Sequence, residues 1–312
     1  MSAPDDTPPI SLRERLLGAA LVAPIRAVRL LPYHQRVAAT GWLTSRLLSP
    51  LAGYRARVRD NLAHACPDLP RAEVRRLMTR VTDNAGRNMM ELYSPEFIDM
   101  GRAAKVIGPG LSELRAARDA GRPAVLVTGH FGSFNAARLA MIAQGFDMGV
   151  FYRPMSNPSF NAHYVKAMGT ISEPMFEQGR RGMMQMVKHL RGGGIIAILN
   201  DLNAHDGVPL DFFGKPALTS LATAEMALKF DAPLVPVWGL RTDGGHAFEV
   251  IVETPIAHSD PVTMTQEFND RLERMVRAHM DQWFWIHRRW KDGTGPLAEK
   301  RAAYLRELKE KG

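Results

Sequence analysis

The chain is 312 residues long, enough for one large α/β domain or two smaller ones, and for a sizeable buried core in either case. Hydrophobic residues at 46% and charged residues at 23% exclude a disordered, collagen-like or many-pass membrane chain, and a single cysteine, Cys66, excludes an intramolecular disulfide and a Cys-rich zinc site. The net charge is +8, and most of the excess lies near one end: residues 11–60 hold Arg13, Arg15, Arg26, Arg29, Arg36, Arg46, Arg55, Arg57 and Arg59 against only Glu14 and Asp60.

The first ten residues contain Asp5, Asp6 and three prolines, where a secretory signal needs a basic start followed by an uninterrupted apolar run. Residues 11–100 have a helical pattern, with breaks expected at Asn61-Leu62 and at 67–70 before an amphipathic stretch over 71–93. The apolar runs 16–25 and 37–45, each about ten residues, would make roughly 15 Å of helix against the ~30 Å of a bilayer core, so neither spans a membrane. Two readings of this basic, apolar region stand: a surface that lies on an anionic membrane face, with Trp42 dipping in, or a core helix pair with solvated arginines.

After Gly121 short apolar runs alternate with longer periodic ones. Strands are expected at 124–128, 148–152, 194–199, 234–240 and 247–252, and helices at 134–144, 159–168, 182–191, 220–230, 263–282 and 296–309. The fold class is therefore α/β, a mainly parallel mixed sheet flanked by helices. Residues 1–100 are expected to form a helical N-terminal cap and membrane-associating region, continuous with an α/β unit over 101–312.

The most informative segment runs from Val125 through Thr128-Gly129-His130-Phe131-Gly132-Ser133-Phe134-Asn135 to Arg138. A strand ends, a small-residue turn follows, and a helix starts near Ser133, so His130 stands at the carboxyl end of a parallel strand, where α/β sheets place their ligands. An imidazole there can take and return a proton near neutral pH, and Gly129 and Gly132 allow close approach. A histidine that caps a helix or is satisfied in the core fits the same pattern.

Further blocks follow in order: Phe151-Tyr152-Arg153-Pro154 with Asn157-Pro158, residues 193–202 with Asn200-Asp201, Phe212-Phe213-Gly214-Lys215-Pro216, Ala232-Pro233-Leu234-Val235-Pro236-Val237, and Gln282-Trp283-Phe284-Trp285-Ile286-His287-Arg288-Arg289-Trp290-Lys291. With Gly129-His130-Phe131-Gly132 at their head, these blocks resemble the lysophospholipid acyltransferase superfamily, and within it the lipid A secondary acyltransferases of the Gram-negative inner membrane. The resemblance covers roughly residues 55 to 291.

The resemblance implies direct acyl transfer, without a covalent enzyme intermediate or a cofactor. His130 would be the base that activates an acceptor hydroxyl, and the hydroxyl would attack the thioester of an acyl carrier protein or coenzyme A. The acceptor would be a lyso- or partly acylated lipid: a lipid A precursor, or alternatively a lyso-aminolipid or lysophospholipid. The protein would sit peripherally or monotopically on the cytoplasmic face of the inner membrane, where its basic surface would steer an acidic carrier protein. The substrate-binding set reads as Gly132, Ser133, Tyr152, Arg153, Phe212 and Phe213. Arg153 and the backbone N–H groups of the turn are the candidate donors for the oxyanion, and Arg153 can equally grip a substrate phosphate. Phe212, Phe213 and Leu218 suit the wall of an acyl-chain tunnel as well as plain core.

The family's motif is His, four residues, then Asp or Glu; here that position is Asn135. An amide oxygen can orient the imidazole but brings no charge to the imidazolium. Three explanations stand open. Asn135 suffices, Asp201 at the end of the 194–199 strand supplies the charge, or the chain is a catalytically silent lipid-binding relative. Asp201, His205 and Asp206 lack a recognisable metal-ligand spacing. The C-terminal tryptophans and cations fit a membrane interface, phosphate recognition, or inward packing with solvated cations. Nucleic acid is not an expected partner, because the arginines interleave with apolar runs and no nucleic-acid-binding motif is present. No G-x-S-x-G elbow occurs, and the G-x-G at Gly108 and Gly110 lacks a third glycine.

Overall fold

A computed structural model describes residues 10–291. The strands are β1 (Lys105–Ile107), β2 (Ala124–Thr128), β3 (Met148–Tyr152), β4 (Met175–Glu177), β5 (Ile195–Leu199), β6 (Val208–Phe212), β7 (Lys215–Thr219), β8 (Leu234–Thr242) and β9 (Ala247–Val252). Seven of them form one sheet in the order β1-β9-β8-β2-β5-β3-β4, parallel at every pairing except β8 with β9; β6 and β7 make a separate hairpin. The central strands β2 (AVLVT), β5 (IIAIL) and the first half of β8 are continuous apolar runs because helices cover both faces of a parallel sheet.

The five strands expected from apolar runs are all present, with bounds shifted by at most two residues. Four strands escape the sequence pattern. β1 and β4 are edge strands of three residues, and the β6–β7 hairpin carries Pro209 and Pro216, which disguise it. The hairpin turns at Phe213-Gly214, both at positive φ (60° and 66°), as a two-residue connection of twisted strands requires.

The helical half differs from expectation at one point. Asn61-Leu62 is no break but lies inside the Tyr54–Ala65 helix, where the Asn61 amide donates 2.7 Å hydrogen bonds to the carbonyls of Trp285 and His287. The chain turns instead at Gly53 (φ +70°), and the second expected break holds: a new helix, Arg71–Leu92, starts just after Pro70. The helix expected over 263–282 runs Pro261–Ala278, started by the Asp260 side chain, which accepts the Val262 and Thr263 N–H groups at 3.0 Å. The tail helix expected over 296–309 lies outside the described residues.

The core is continuous across both halves, since Val58, Leu62, Leu77 and Val81 from the helical half pack in one cluster with Val125, Val127, Ile196 and Trp238 of the sheet. The Leu12–Val28 helix packs at Gly18 against Ser159 and Asn157 but leaves Leu12, Leu16, Leu17 and Leu21 exposed. Trp42, Leu47, Leu48 and Leu51 are also exposed. Among the described residues no helix is long and apolar enough to cross a membrane.

One buried polar network ties the Arg71–Leu92 helix to the sheet at the turn after β2. The Arg241 guanidinium pairs with the Glu91 carboxylate and donates to Asn84 Oδ1 (2.8 Å) and Asn88 Oδ1 (2.9 Å); Asn88 in turn donates to the Gly132 carbonyl at 2.7 Å. Glu91 is 1% exposed, so removing its charge strands Arg241 in a low-dielectric interior. Glu91→Ala is expected to lower unfolding stability by ~3–5 kcal/mol, and the Glu91→Leu/Arg241→Met double variant by much less, as read by urea denaturation. Equal losses in the two would show that packing, not the stranded charge, dominates.

Candidate active site

His130 and Asp201 meet because of strand register. β2 and β5 are parallel neighbours with Thr128 opposite Leu199, and the ladder continues as the Asn200 N–H donates to the Thr128 carbonyl at 2.9 Å. His130 lies two residues beyond Thr128 and Asp201 two beyond Leu199, so both leave the sheet at the same height on adjacent strands. Asp201 Oδ1 lies 2.8 Å from His130 Nδ1, and Oδ2 accepts the His130 backbone N–H at 2.7 Å and the Trp283 indole N–H at 2.9 Å. Gly129 makes room for this approach, because a Cβ there would stand 3.0 Å from Asp201 Oδ2.

Asp201 is 1% exposed. Burial opposes its ionisation, but the His130 imidazole, the His130 N–H and the Trp283 indole outweigh burial and hold its carboxyl below the ordinary aspartate value. A carboxylate can only accept, so Nδ1 of His130 carries the proton and Nε2 the lone pair. No hydrogen bond occupies Nε2 among the described residues, and the ring, half-buried between Phe134 and Phe284, keeps 27% of its side-chain surface in solvent. The arrangement is a carboxylate–imidazole pair with a lone pair available to an incoming hydroxyl.

Asn135 is placed differently. It lies in the first turn of the Phe134–Ala143 helix, and among the described residues no hydrogen bond joins it to His130. Of the sequence alternatives, the geometry therefore gives the imidazole a carboxylate partner in Asp201.

The backbone donors of the turn are all engaged. His130 N–H goes to Asp201, Phe131 N–H to the Gly129 carbonyl, Gly132 N–H to the Gln282 carbonyl and Ser133 N–H to the Gly239 carbonyl, each at 2.7 or 2.8 Å. This corrects the expectation that the turn offers N–H groups to an oxyanion. Gly132 has φ +53° and approaches Gly239 so closely that a Cβ would sit 1.9 Å from its carbonyl oxygen, so backbone packing alone requires glycine here.

Three of the side chains expected to bind substrate are buried. The Ser133 hydroxyl is fully buried and donates to Glu91 at 3.2 Å. Phe212 and Phe213 are buried in an aromatic cluster: Phe212 stacks on Trp290 at 5.7 Å, and Phe213 meets Trp285 edge-on. Both rings lie in the core, and Leu218 is buried with them.

Tyr152 and Arg153 remain at the carboxyl edge of the sheet. The Tyr152 hydroxyl donates to Glu177 at 3.0 Å, and burial, more than this carboxylate, pushes it up to about 12. Arg153 follows β3 directly, is exposed, and carries no hydrogen bond or ion pair among the described residues. Since Val150 pairs with Ala197, Arg153 stands level with Asn200, two strands or roughly 10 Å across from β2. His205 and Asp206 are exposed in the loop before β6, and among the described residues no group of three or more His, Cys, Asp or Glu is placed to hold a metal ion.

The C-terminal segment resolves in favour of inward packing, except that one cation goes in with the tryptophans. Trp283, Trp285 and Arg289 are buried, and Phe284 N–H donates to the His130 carbonyl at 3.0 Å. Sequence reasoning missed Trp283 as a partner of Asp201 and Gln282 as a partner of the turn. The only signal was their place in an ordered block.

The profile of the bacterial lipid A biosynthesis acyltransferase family matches residues 11–292. A phosphatidylinositol mannoside acyltransferase of Mycobacterium tuberculosis is 25% identical over 291 residues, covering 86% of this chain and 91% of the relative. A lipid A biosynthesis lauroyltransferase of Escherichia coli is 25% identical over 243 residues, covering 75% of this chain and 78% of the relative. The chain, with its histidine–aspartate pair at the carboxyl edge of the sheet, belongs to the bacterial lipid A biosynthesis acyltransferase family and is a lipid acyltransferase.

Proposed function

We propose that the chain transfers a fatty acyl group from an acyl thioester, carried by acyl carrier protein or coenzyme A, to a hydroxyl of a lyso- or partly acylated membrane lipid. The observation that carries this reading is the 2.8 Å contact between His130 Nδ1 and a buried, ionised Asp201, which leaves Nε2 as a base. Nε2 takes the proton of the acceptor hydroxyl as its oxygen adds to the thioester carbonyl. The tetrahedral intermediate then collapses, the C–S bond breaks, and the departing thiolate recovers the proton from the imidazolium. Asp201 stabilises that imidazolium while it exists.

With the N–H groups of the turn committed elsewhere, the oxyanion needs another source of positive charge. Arg153 fits this requirement by its exposure and its position at the same sheet edge, and the same guanidinium suits a lipid phosphate. The acceptor is a lipid A precursor or a lipid of related chemistry. The phosphatidylinositol mannoside relative supports a phosphate-bearing glycolipid, and a lyso-aminolipid or lysophospholipid is the alternative.

The exposed leucines of the Leu12–Val28 helix, with Trp42, Leu48 and Leu51 among the N-terminal arginines, support peripheral attachment to an anionic membrane, on the cytoplasmic face of a bacterial inner membrane where thioester donors are made. Leu12→Glu/Leu16→Glu is expected to cut co-flotation with anionic vesicles at least about fivefold and to leave flotation with neutral vesicles, already weak, unchanged. Wild-type flotation that ignores vesicle charge would overturn this placement.

His130→Ala is expected to abolish acyl transfer, and Asp201→Asn to reduce turnover by ~10²–10⁴, whereas Asn135→Ala should stay within about threefold of wild type. Incorporation of a radiolabelled acyl chain into extracted lipid reads all three. Wild-type rates in His130→Ala would refute the mechanism, and a larger loss in Asn135→Ala than in Asp201→Asn would return the orienting role to Asn135. Mass spectrometry of lipids from cells with and without the chain identifies the acceptor as the lipid that gains one acyl group; no gain in any lipid would favour a silent, lipid-binding relative.

A further inference from the structure

Arg289 is a cation in an unusual place. It is 1% exposed, yet no carboxylate lies within ion-pair distance among the described residues. Its Nη1 donates to the carbonyls of Leu218 (2.5 Å) and Leu202 (3.3 Å), its Nη2 donates to Thr219 Oγ1 (2.5 Å), its guanidinium lies 5.5 Å from the Phe212 ring centroid, and its Nε is buried without a partner. Burial pushes the guanidinium down to about 10, still charged at neutral pH, and the opposing pull comes from Asp201. The Arg289 carbonyl also accepts the Asn203 side-chain N–H at 3.2 Å, so Arg289 grips both ends of the segment just after Asp201.

We propose that Arg289 is a positioning and charge-balancing residue for the His130–Asp201 pair: its buried positive charge offsets that of Asp201, so that His130 stays neutral and available as a base. The inference rests on the acyl-transfer reading and deepens it. A buried carboxylate touching an imidazole favours the imidazolium, and an imidazolium cannot take a proton from a hydroxyl. The groups facing the pair leave Arg289 as the buried cation able to counter this. His287 accepts the Asn203 N–H at 2.9 Å through Nε2, and burial pushes it down to about 4, so it is neutral. His279 lies edge-on to Phe131, His64 packs against Trp290, and Lys291, whose field reaches His287, is exposed. With Asp201 ionised, Arg289 charged and His130 neutral, the buried cluster carries no net charge; proton uptake by His130 adds one.

The test is a titration of the His130 imidazole by NMR on full-length protein labelled at histidine, with the signal assigned through His130→Gln, alongside the pH dependence of acyl transfer. Arg289→Met is expected to raise the His130 midpoint by at least ~0.5 pH unit and to move the acid limb of the rate profile by the same amount, with rates converging at high pH. Arg289→Lys, which keeps the charge and loses the fork, should leave the midpoint within ~0.2 unit of wild type while lowering the rate. If Arg289→Met does not fold, Arg289→Gln, which retains a donor for the Leu218 carbonyl, carries the same expectation. An unmoved midpoint in Arg289→Met or Arg289→Gln, or an equal shift in Arg289→Lys, overturns the inference. Because the titration needs no turnover, a shifted midpoint in a protein that acylates nothing would refute the proposed function and uphold the role of Arg289.

Discussion

A buried carboxylate is the constraint around which this site is organised. Asp201 has lost nearly all contact with water, and an isolated charge in such a place is so costly that it would be neutralised by protonation. It stays ionised because three donors converge on its two oxygens: the His130 ring, the His130 backbone and the Trp283 indole. These donors come from the turn after β2 and from the C-terminal segment, so the fold has to bring two remote stretches to the end of β5. Much of the unusual local structure follows from this requirement. Gly129 clears space for the carboxylate, and Phe131 and Trp283 form a bridge that holds the C-terminal segment against the turn. Asn61 fastens the far side of that segment to the helical half.

The second constraint is rigidity. Every N–H from His130 to Ser133 is satisfied internally, and the Gly132 carbonyl is held by Asn88 within the Arg241–Glu91 network. A turn fixed at both donors and acceptors holds its imidazole in one orientation, which is what preorganisation demands of a base. The same saturation means that the backbone here cannot follow the pattern of sites whose turn amides bind the oxyanion. In the proposed mechanism that stabilisation comes from side chains, and Arg153, exposed and without a bond among the described residues, is placed at the same sheet edge.

The elements that built the sheet were legible where one local pattern decided them. β2, β3, β5, β8 and β9 are short, largely apolar runs that helices must cover, and their length and flanking turn residues mark them as strands. The β6–β7 hairpin was hidden because its turn is Phe-Gly and not Asn-Gly, and because prolines sit in both strands. Local pattern also misassigned Asn61, whose breaker-like chemistry is used on a residue 224 positions away. Within the site, His130 and Asp201 were each legible as strand-end residues, but their pairing was not, since it depends on β2 and β5 being neighbours in register. Ser133, beside His130 in sequence, and Phe212 and Phe213, as a candidate tunnel wall, read as ligand contacts, and all three are buried.

Strand register gives His130 a carboxylate partner despite the departure at Asn135. A carboxylate five residues after the histidine has to reach back from the first turn of a helix, whereas one at the same height on the adjacent parallel strand starts about 4.8 Å away and points along the same edge. The second arrangement also places the charge beneath the imidazole, walled off by Trp283, where the low dielectric strengthens its hold on an imidazolium. That strength also favours the charged imidazolium over the neutral ring that acts as a base. A cation held in the interior opposes that bias, and Arg289, buried with carbonyls, a hydroxyl and an aromatic face for company, is the residue proposed for this role.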